Sequence, residues 1–87
     1  MDYGEDGKHG EAENILLMMH NFSLVHREIA WTSLEMAKNA SISEDYLISM
    51  LKQLEVGGYV RSFNDADGAK KYYLTGMGII KVSTEFT

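Results

Sequence analysis

Ser41 to Val60 reads SISEDYLISMLKQLEVGGYV, a stretch punctuated at both ends from which the neighbouring segments can be placed. Apolar residues recur at Leu47, Met50, Leu51 and Leu54, the three-and-four spacing that puts side chains on one helical face. The Ser43 hydroxyl can accept from a free amide of the first turn, and Glu44 and Asp45 then stand where the helix dipole favours negative charge. Ser43 is therefore the favoured N-cap, and Ser41 with Glu44 is a second possible box. At the other end Gly57 or Gly58 can take the left-handed backbone that closes a helix, and Tyr59-Val60 opens an extended segment. One amphipathic helix over about residues 43–56 is expected.

Upstream, Thr32-Ser33-Leu34-Glu35 is a capping box: the Thr32 hydroxyl can accept from the Glu35 amide while the Glu35 carboxylate reaches back to the Thr32 amide. A short helix from about Ser33 to Asn39 or Ala40 should follow, burying Leu34, Met36 or Ala37, and Ala40. The segment Ser23 to Trp31 reads either as the extension of a helix or as a loop leading to a short strand at Ile29 to Trp31. Before it, Ile15, Leu16, Met19 and Phe22 recur at helical spacing behind Glu11 and Glu13, predicting a helix over Glu11 to Asn21. Residues 1–10 hold Gly4, Gly7 and Gly10 among charges and no apolar period, so they are expected to be a flexible tail.

Downstream, Tyr59 to Asn64 alternates, Ala69 to Leu74 does so more weakly, and the turn-rich Asn64-Asp65-Ala66-Asp67-Gly68 lies between them. That predicts a β-hairpin over about residues 59–74 with Arg61, Lys70 and Lys71 on its strands. Thr75 can cap a last helix, whose Gly76, Gly78 and β-branched residues make it weak unless it docks, for instance on the first helix.

Composition bounds the function. A chain of 87 residues without Pro or Cys and 45% hydrophobic fits one domain over residues 11–87, burying about 60 to 65% of its unfolded surface. Without cysteine there is no disulfide frame and no thiolate metal site. No run reaches the roughly 18 apolar residues of a membrane span, and MDYGEDGKHG lacks the zones of a signal peptide, so a cytoplasmic protein is expected. A formal charge of -5, from 13 acids against 8 bases, argues against broad nonspecific attraction to nucleic acid and leaves room for a local basic patch.

The succession helix, short strand, capped helix, capped helix, hairpin resembles the winged helix-turn-helix family from about Thr32 to Val82. The matching elements are Met36-Ala37, then Ala40-Ser41-Ile42-Ser43, then Leu47, Leu51 and Leu54, then Gly58-Tyr59-Val60, and Tyr72-Tyr73-Leu74-Thr75-Gly76-Met77-Gly78. In flavour the chain is similar to small prokaryotic and archaeal regulators of the MarR-like and PadR-like kind. The resemblance implies an α+β fold with a three-helix core, a hairpin wing and a short C-terminal helix. It also implies a homodimer that binds double-stranded DNA and regulates transcription, with the third helix in a major groove and the wing against phosphates or the minor groove.

With Leu47, Leu51 and Leu54 inward, Glu44, Asp45, Ile48, Ser49, Lys52 and Gln53 face outward. The residues expected to meet DNA are Ser43, Ser49, Lys52 and Gln53 on the helix, with Arg61, Lys70 and Lys71 in the wing. The chain departs from the family pattern in placing Glu44 and Asp45 first, with Lys52 alone basic on that helix. The alternative is therefore a protein-interaction module whose acidic helix face docks on a basic partner. An effector pocket between the first helix and the wing is a third possibility. Strand alternation lets only one of Lys70 and Lys71, and one of Tyr72 and Tyr73, share a face, the other tyrosine joining the core. Trp31 is expected to anchor the core.

No enzyme is expected. His9, His20 and His26 show no spacing that would converge ligands on one helical face, so no metal site and no catalytic residue is assigned. His26-Arg27-Glu28 reads as solvent-exposed charge. Gly76-Met77-Gly78 lacks the third glycine and the sheet context of a nucleotide loop, so no cofactor is expected either.

Overall fold

The structure, a computed structural model, describes residues 10–86, so the tail expected at the N-terminus lies, apart from Gly10, outside the described residues. The elements run α1 (Glu11–Asn21), a 3-10 turn (Arg27–Ile29), β1 (Trp31–Thr32), α2 (Ser33–Ala40), α3 (Glu44–Val56), β2 (Val60–Asn64), β3 (Lys70–Leu74) and α4 (Gly76–Glu85).

Helix α1 buries Asn14, Ile15, Leu16, Met18 and Met19, a span wider than one stripe. Its second surface is real: α1 packs on α3 and also on α4 and β3. The α2 box forms in both directions, with Glu35 N donating to Thr32 Oγ1 at 3.1 Å and Thr32 N donating to Glu35 Oε1 at 2.9 Å. Helix α2 then closes at Ser41, left-handed at φ 57°, while the Ile42 amide donates to the Ala37 carbonyl at 3.1 Å. Helix α3 starts at Ser43, the serine that the sequence favours. Ser41 ends one helix, and Ser43 caps the next, its hydroxyl accepting from the Tyr46 amide at 3.3 Å.

One packing expectation is corrected. Leu34 is 49% exposed, whereas Met36 and Ala37 are buried and Ala40 is half-buried. Two positions before Met36 is about 200° around a helix, so a helix with Met36, Ala37 and Ala40 inward must turn Leu34 out.

The sheet is antiparallel in the order β1-β3-β2, pairing Trp31 with Tyr72, Thr32 with Lys71, and Val60 to Asn64 with Leu74 back to Lys70. Between Ser23 and Trp31 the loop reading holds, but the strand falls on Trp31–Thr32 because pairing with β3 reaches only that far. Trp31 is half-buried and meets Phe22 with ring centroids 5.0 Å apart, at the margin of the core rather than its centre.

Helix α4 forms by docking on α1, as its weak intrinsic propensity requires. Its start is fastened to the end of α3. The Thr75 hydroxyl donates to the Gly58 carbonyl at 2.7 Å and accepts from the Gly78 amide at 3.1 Å, and the Thr75 amide donates to the Tyr59 carbonyl at 3.1 Å. Gly58 sits at φ 84°, the left-handed position that only glycine takes without cost. A Cβ on Gly78 would collide with the Tyr59 carbonyl, so the close approach of α4 to the α3–β2 turn depends on hydrogen at that position.

Candidate functional site

The outward face of α3 is the first candidate surface. Leu47, Met50, Leu51 and Leu54 anchor the helix in the core, so its rotation is fixed by burial. Two hydrogen bonds then pin its flank: Ser33 Oγ donates to Glu44 Oε2 at 2.8 Å, and Ser62 Oγ donates to Glu55 Oε2 at 2.6 Å. The first ties α3 to the start of α2 and the second ties it to the edge strand β2. Both carboxylates are half-buried and spent on positioning, leaving Asp45 as the exposed acid of α3.

Around that face lie Ser49 and Lys52, exposed, and Val56, 91% exposed. The Ser49 hydroxyl donates to the Tyr46 carbonyl at 3.0 Å, so its lone pairs remain available outward. Lys52 makes no ion pair among the described residues. Ser43 is exposed at the helix mouth with its hydroxyl already accepting one backbone amide. Gln53 is exposed too but points elsewhere: with Glu13, Leu16, Tyr59 and Lys81 it lines a shallow groove of about 200 Å³ between α1, α3 and α4. That groove does not involve the strands of the wing.

Strand alternation divides the wing cations. Val60, Ser62 and Asn64 on β2 and Lys70, Tyr72 and Leu74 on β3 share the face that meets the helices, since Val60, Tyr72 and Leu74 are buried and Ser62 bonds to α3. Lys70, exposed near the tip with its ammonium 5.6 Å from the Tyr72 ring centroid, therefore stands on the α3 side. Arg61 and Lys71 lie on the opposite face with Phe63 and Tyr73. The seven residues read from the sequence thus divide among the outward face of α3, its Gln53 flank and both faces of the wing.

The second face contains a cluster that sequence reasoning missed. Arg27, from the 3-10 turn, places its guanidinium carbon 4.0 Å from the centroid of the Phe63 ring, and Phe63 meets Tyr73 edge-on with centroids 6.1 Å apart. Period two alone aligns Phe63 with Tyr73, but nothing local signals that Arg27 reaches them.

The wing tip is held by Asp65. Its Oδ1 accepts from the Asp67 and Ala69 amides, each at 2.9 Å, and its Oδ2 lies 3.3 Å from Lys71 Nζ. The Ala69 amide, more than any other group, holds the Asp65 carboxyl below the usual aspartate range, with the Asp67 amide and Lys71 acting in the same direction.

Among the described residues no group of three His, Cys, Asp or Glu side chains could hold a metal ion, and no helix is long and apolar enough to cross a membrane. His20 and His26 are exposed and separate, and His9 lies outside the described residues.

The chain matches no known family model and no curated protein sequence. Solved structures do match it. A candidate DNA-binding protein from Ralstonia eutropha JMP134 superposes with a TM-score of 0.73 at 24% identity, over 97% of this chain and 100% of that one. The DNA-binding TubR fragment from Clostridium botulinum gives 0.69 at 19% identity over 83% and 90%. ZitR from Lactococcus lactis gives 0.67 at 19% identity, over 92% of this chain and 52% of that one. At these identities the likeness is one of fold. Among the described residues, four helices, a three-stranded antiparallel sheet and a hairpin beside the third helix give this chain an α+β winged helix-turn-helix fold.

Proposed function

We propose that the protein is a DNA-binding transcriptional regulator of the cytoplasm, in the manner of the small MarR-like or PadR-like proteins, with α3 entering a major groove. The observation that carries this reading is the uncovered face of α3, where Ser49 and Lys52 stand on a helix whose other sides are locked by burial and by the Glu44 and Glu55 bonds. Lys70 stands on the same side of the sheet. The fold neighbours described as DNA-binding support it.

In this reading Ser49 and Lys52 meet base edges or phosphates, and Ser43 reaches a phosphate at the mouth of the helix. Gln53 borders the contact from the α1 side. Lys70 neutralises backbone from the wing, while Arg61 and Lys71 face flanking phosphates. The rival reading, an acidic helix face docking on a basic partner, loses support because Glu44 and Glu55 are engaged within the fold.

In this reading the protein acts as a homodimer through α4, where Met77 is 55% and Ile80 66% exposed one turn apart, beside Tyr59 and Thr84. Two such protomers would present their α3 helices about 34 Å apart, one turn of duplex. Sedimentation equilibrium of the protein and of Ile80→Glu reports on that interface directly.

The decisive test is fluorescence anisotropy of a mixed-sequence duplex across a salt series. Log K should fall linearly with log salt, and Lys52→Glu and Lys70→Glu should each weaken binding. No binding at low salt with protein on the order of tens of micromolar would overturn the proposal.

A further inference from the structure

Arg27, Arg61, Phe63, Lys71 and Tyr73 form one continuous surface on the face of the sheet turned away from α3. Three cations frame two aromatic rings. The register sets Arg61 opposite Tyr73 and Phe63 opposite Lys71, so positive and aromatic side chains alternate across the strand pair as well as along it. The Arg27 guanidinium lies over Phe63 at 4.0 Å and Phe63 meets Tyr73 at 6.1 Å, which makes a short series of guanidinium, ring and ring.

The charge on this face is not internally compensated. Lys71 pairs with Asp65, whose other oxygen is occupied by the turn amides, while Arg27 and Arg61 are exposed and make no ion pair among the described residues. Glu28 follows Arg27 in the chain and is exposed. In a chain of formal charge -5, two uncompensated arginines beside aromatic rings are a local exception to the overall balance.

We infer that this outer sheet face binds a single-stranded nucleic acid, its bases stacking on Tyr73 and on the Arg27–Phe63 pair and its phosphates meeting Arg61 and Arg27. The chemistry selects that partner. A duplex hides the faces of its bases, so aromatic rings gain nothing from it, whereas unpaired bases stack on rings and guanidinium planes whatever their sequence. An acidic peptide would use the cations and leave the rings without a role. This surface is separate from the α3 face. Arg61 and Lys71 also serve the flanking phosphates of the duplex reading, so Tyr73 and Arg27, which that reading does not use, are the residues that tell the two apart.

The test uses the full chain and a fluorescein-labelled oligothymidylate of about 12 nucleotides, within the usual span of such sites. Anisotropy should report salt-dependent binding that weakens about tenfold on Tyr73→Ala and on Arg61→Ala, and stays unchanged on Lys52→Glu. Arg61 is exposed and unpaired, so its variant keeps the test valid should Tyr73→Ala fail to fold, which circular dichroism would reveal. No binding at low salt, equal loss on Lys52→Glu, or displacement by polyglutamate as effective as by unlabelled oligothymidylate would each overturn the proposal. Loss of duplex binding on Lys52→Glu with oligothymidylate binding retained is the expected separation of the two sites. No duplex binding by the unaltered protein, with oligothymidylate bound, would mean that the α3 reading fails and this one stands.

Discussion

The two faces of the wing sheet are built from the same ten residues of β2 and β3, yet they follow different rules. The inner face carries Val60, Tyr72 and Leu74 into the core and fastens to α3 through Ser62. The outer face carries Arg61, Phe63, Lys71 and Tyr73, and Arg27 from the 3-10 turn lies over Phe63. Adjacent residues therefore belong to different surfaces: Lys70 stands with α3, and Lys71 stands with the aromatic cluster. A basic stretch in a strand is two half-patches, and charge counted along the chain overstates either one.

The comparison breaks most visibly in stability. Tyr72→Ala, on the inner face, should cost about 3 to 5 kcal/mol in urea denaturation, because a buried ring leaves a cavity that the surrounding core only partly refills. Tyr73→Ala, one residue on and half-buried, should cost about 1 to 2 kcal/mol, largely its contact with Phe63. Equal costs for the two would mean that the outer face is as much a core as the inner one.

Smaller, and again on the helix side of the sheet, Gly78→Ala should cost about 1 to 3 kcal/mol, since the added methyl meets the Tyr59 carbonyl, a backbone atom that cannot rotate aside. Thermal unfolding checks it; Gly76→Ala, where nothing lies within 4 Å, is the control and should be close to neutral or stabilising.

For function, Lys52→Glu should reduce duplex affinity about tenfold and lower the salt slope by roughly one to two, reflecting one lost phosphate contact and one added repulsion. Arg61→Glu should change the duplex slope less, because it lies on the far face. If Arg61→Glu instead has the larger effect, the assignment of the two faces is reversed.

The finest effect concerns the tip that joins both faces. The Asp65 carboxyl is held below its unfolded value, so its contribution is complete above the usual aspartate range and disappears as pH falls through the lowered folded value. The protection of the Asp67 and Ala69 amides, taken relative to the intrinsic exchange rate at each pH, should therefore fall on acidification in that window, and Asp65→Asn should remove that change in protection.

Much of this was legible along the chain, and the pattern of what was not is physical. The Thr32–Glu35 box and the Ser43 cap use partners three residues away, so local spacing specifies them. Ser43 is favoured over Ser41 by the acids that follow it, and the left-handed closure of α2 at Ser41 shows why the second box does not form. The two-residue β1 has no period of its own and takes its limits from β3. Leu34 misled because an apolar residue in a short helix looks inward until the inner face is known. For the candidate site, the outward direction of Ser49 and Lys52 followed from helical geometry, and the separation of Lys70 from Lys71 from alternation. Arg27 escaped because its partner ring lies in a distant segment, and no spacing rule connects a 3-10 turn to an edge strand.

The knot of Gly58, Thr75 and Gly78 has an implication for how such a sequence can drift. The Thr75 hydroxyl serves two backbone groups at once, from turns that are remote along the chain, and the glycines on either side admit no side chain without a clash or a strained backbone. None of the three can vary while the other two stay fixed. Across diverging copies of this fold they should behave as a single inherited character, kept together or replaced together, while the exposed residues on α3 change one at a time.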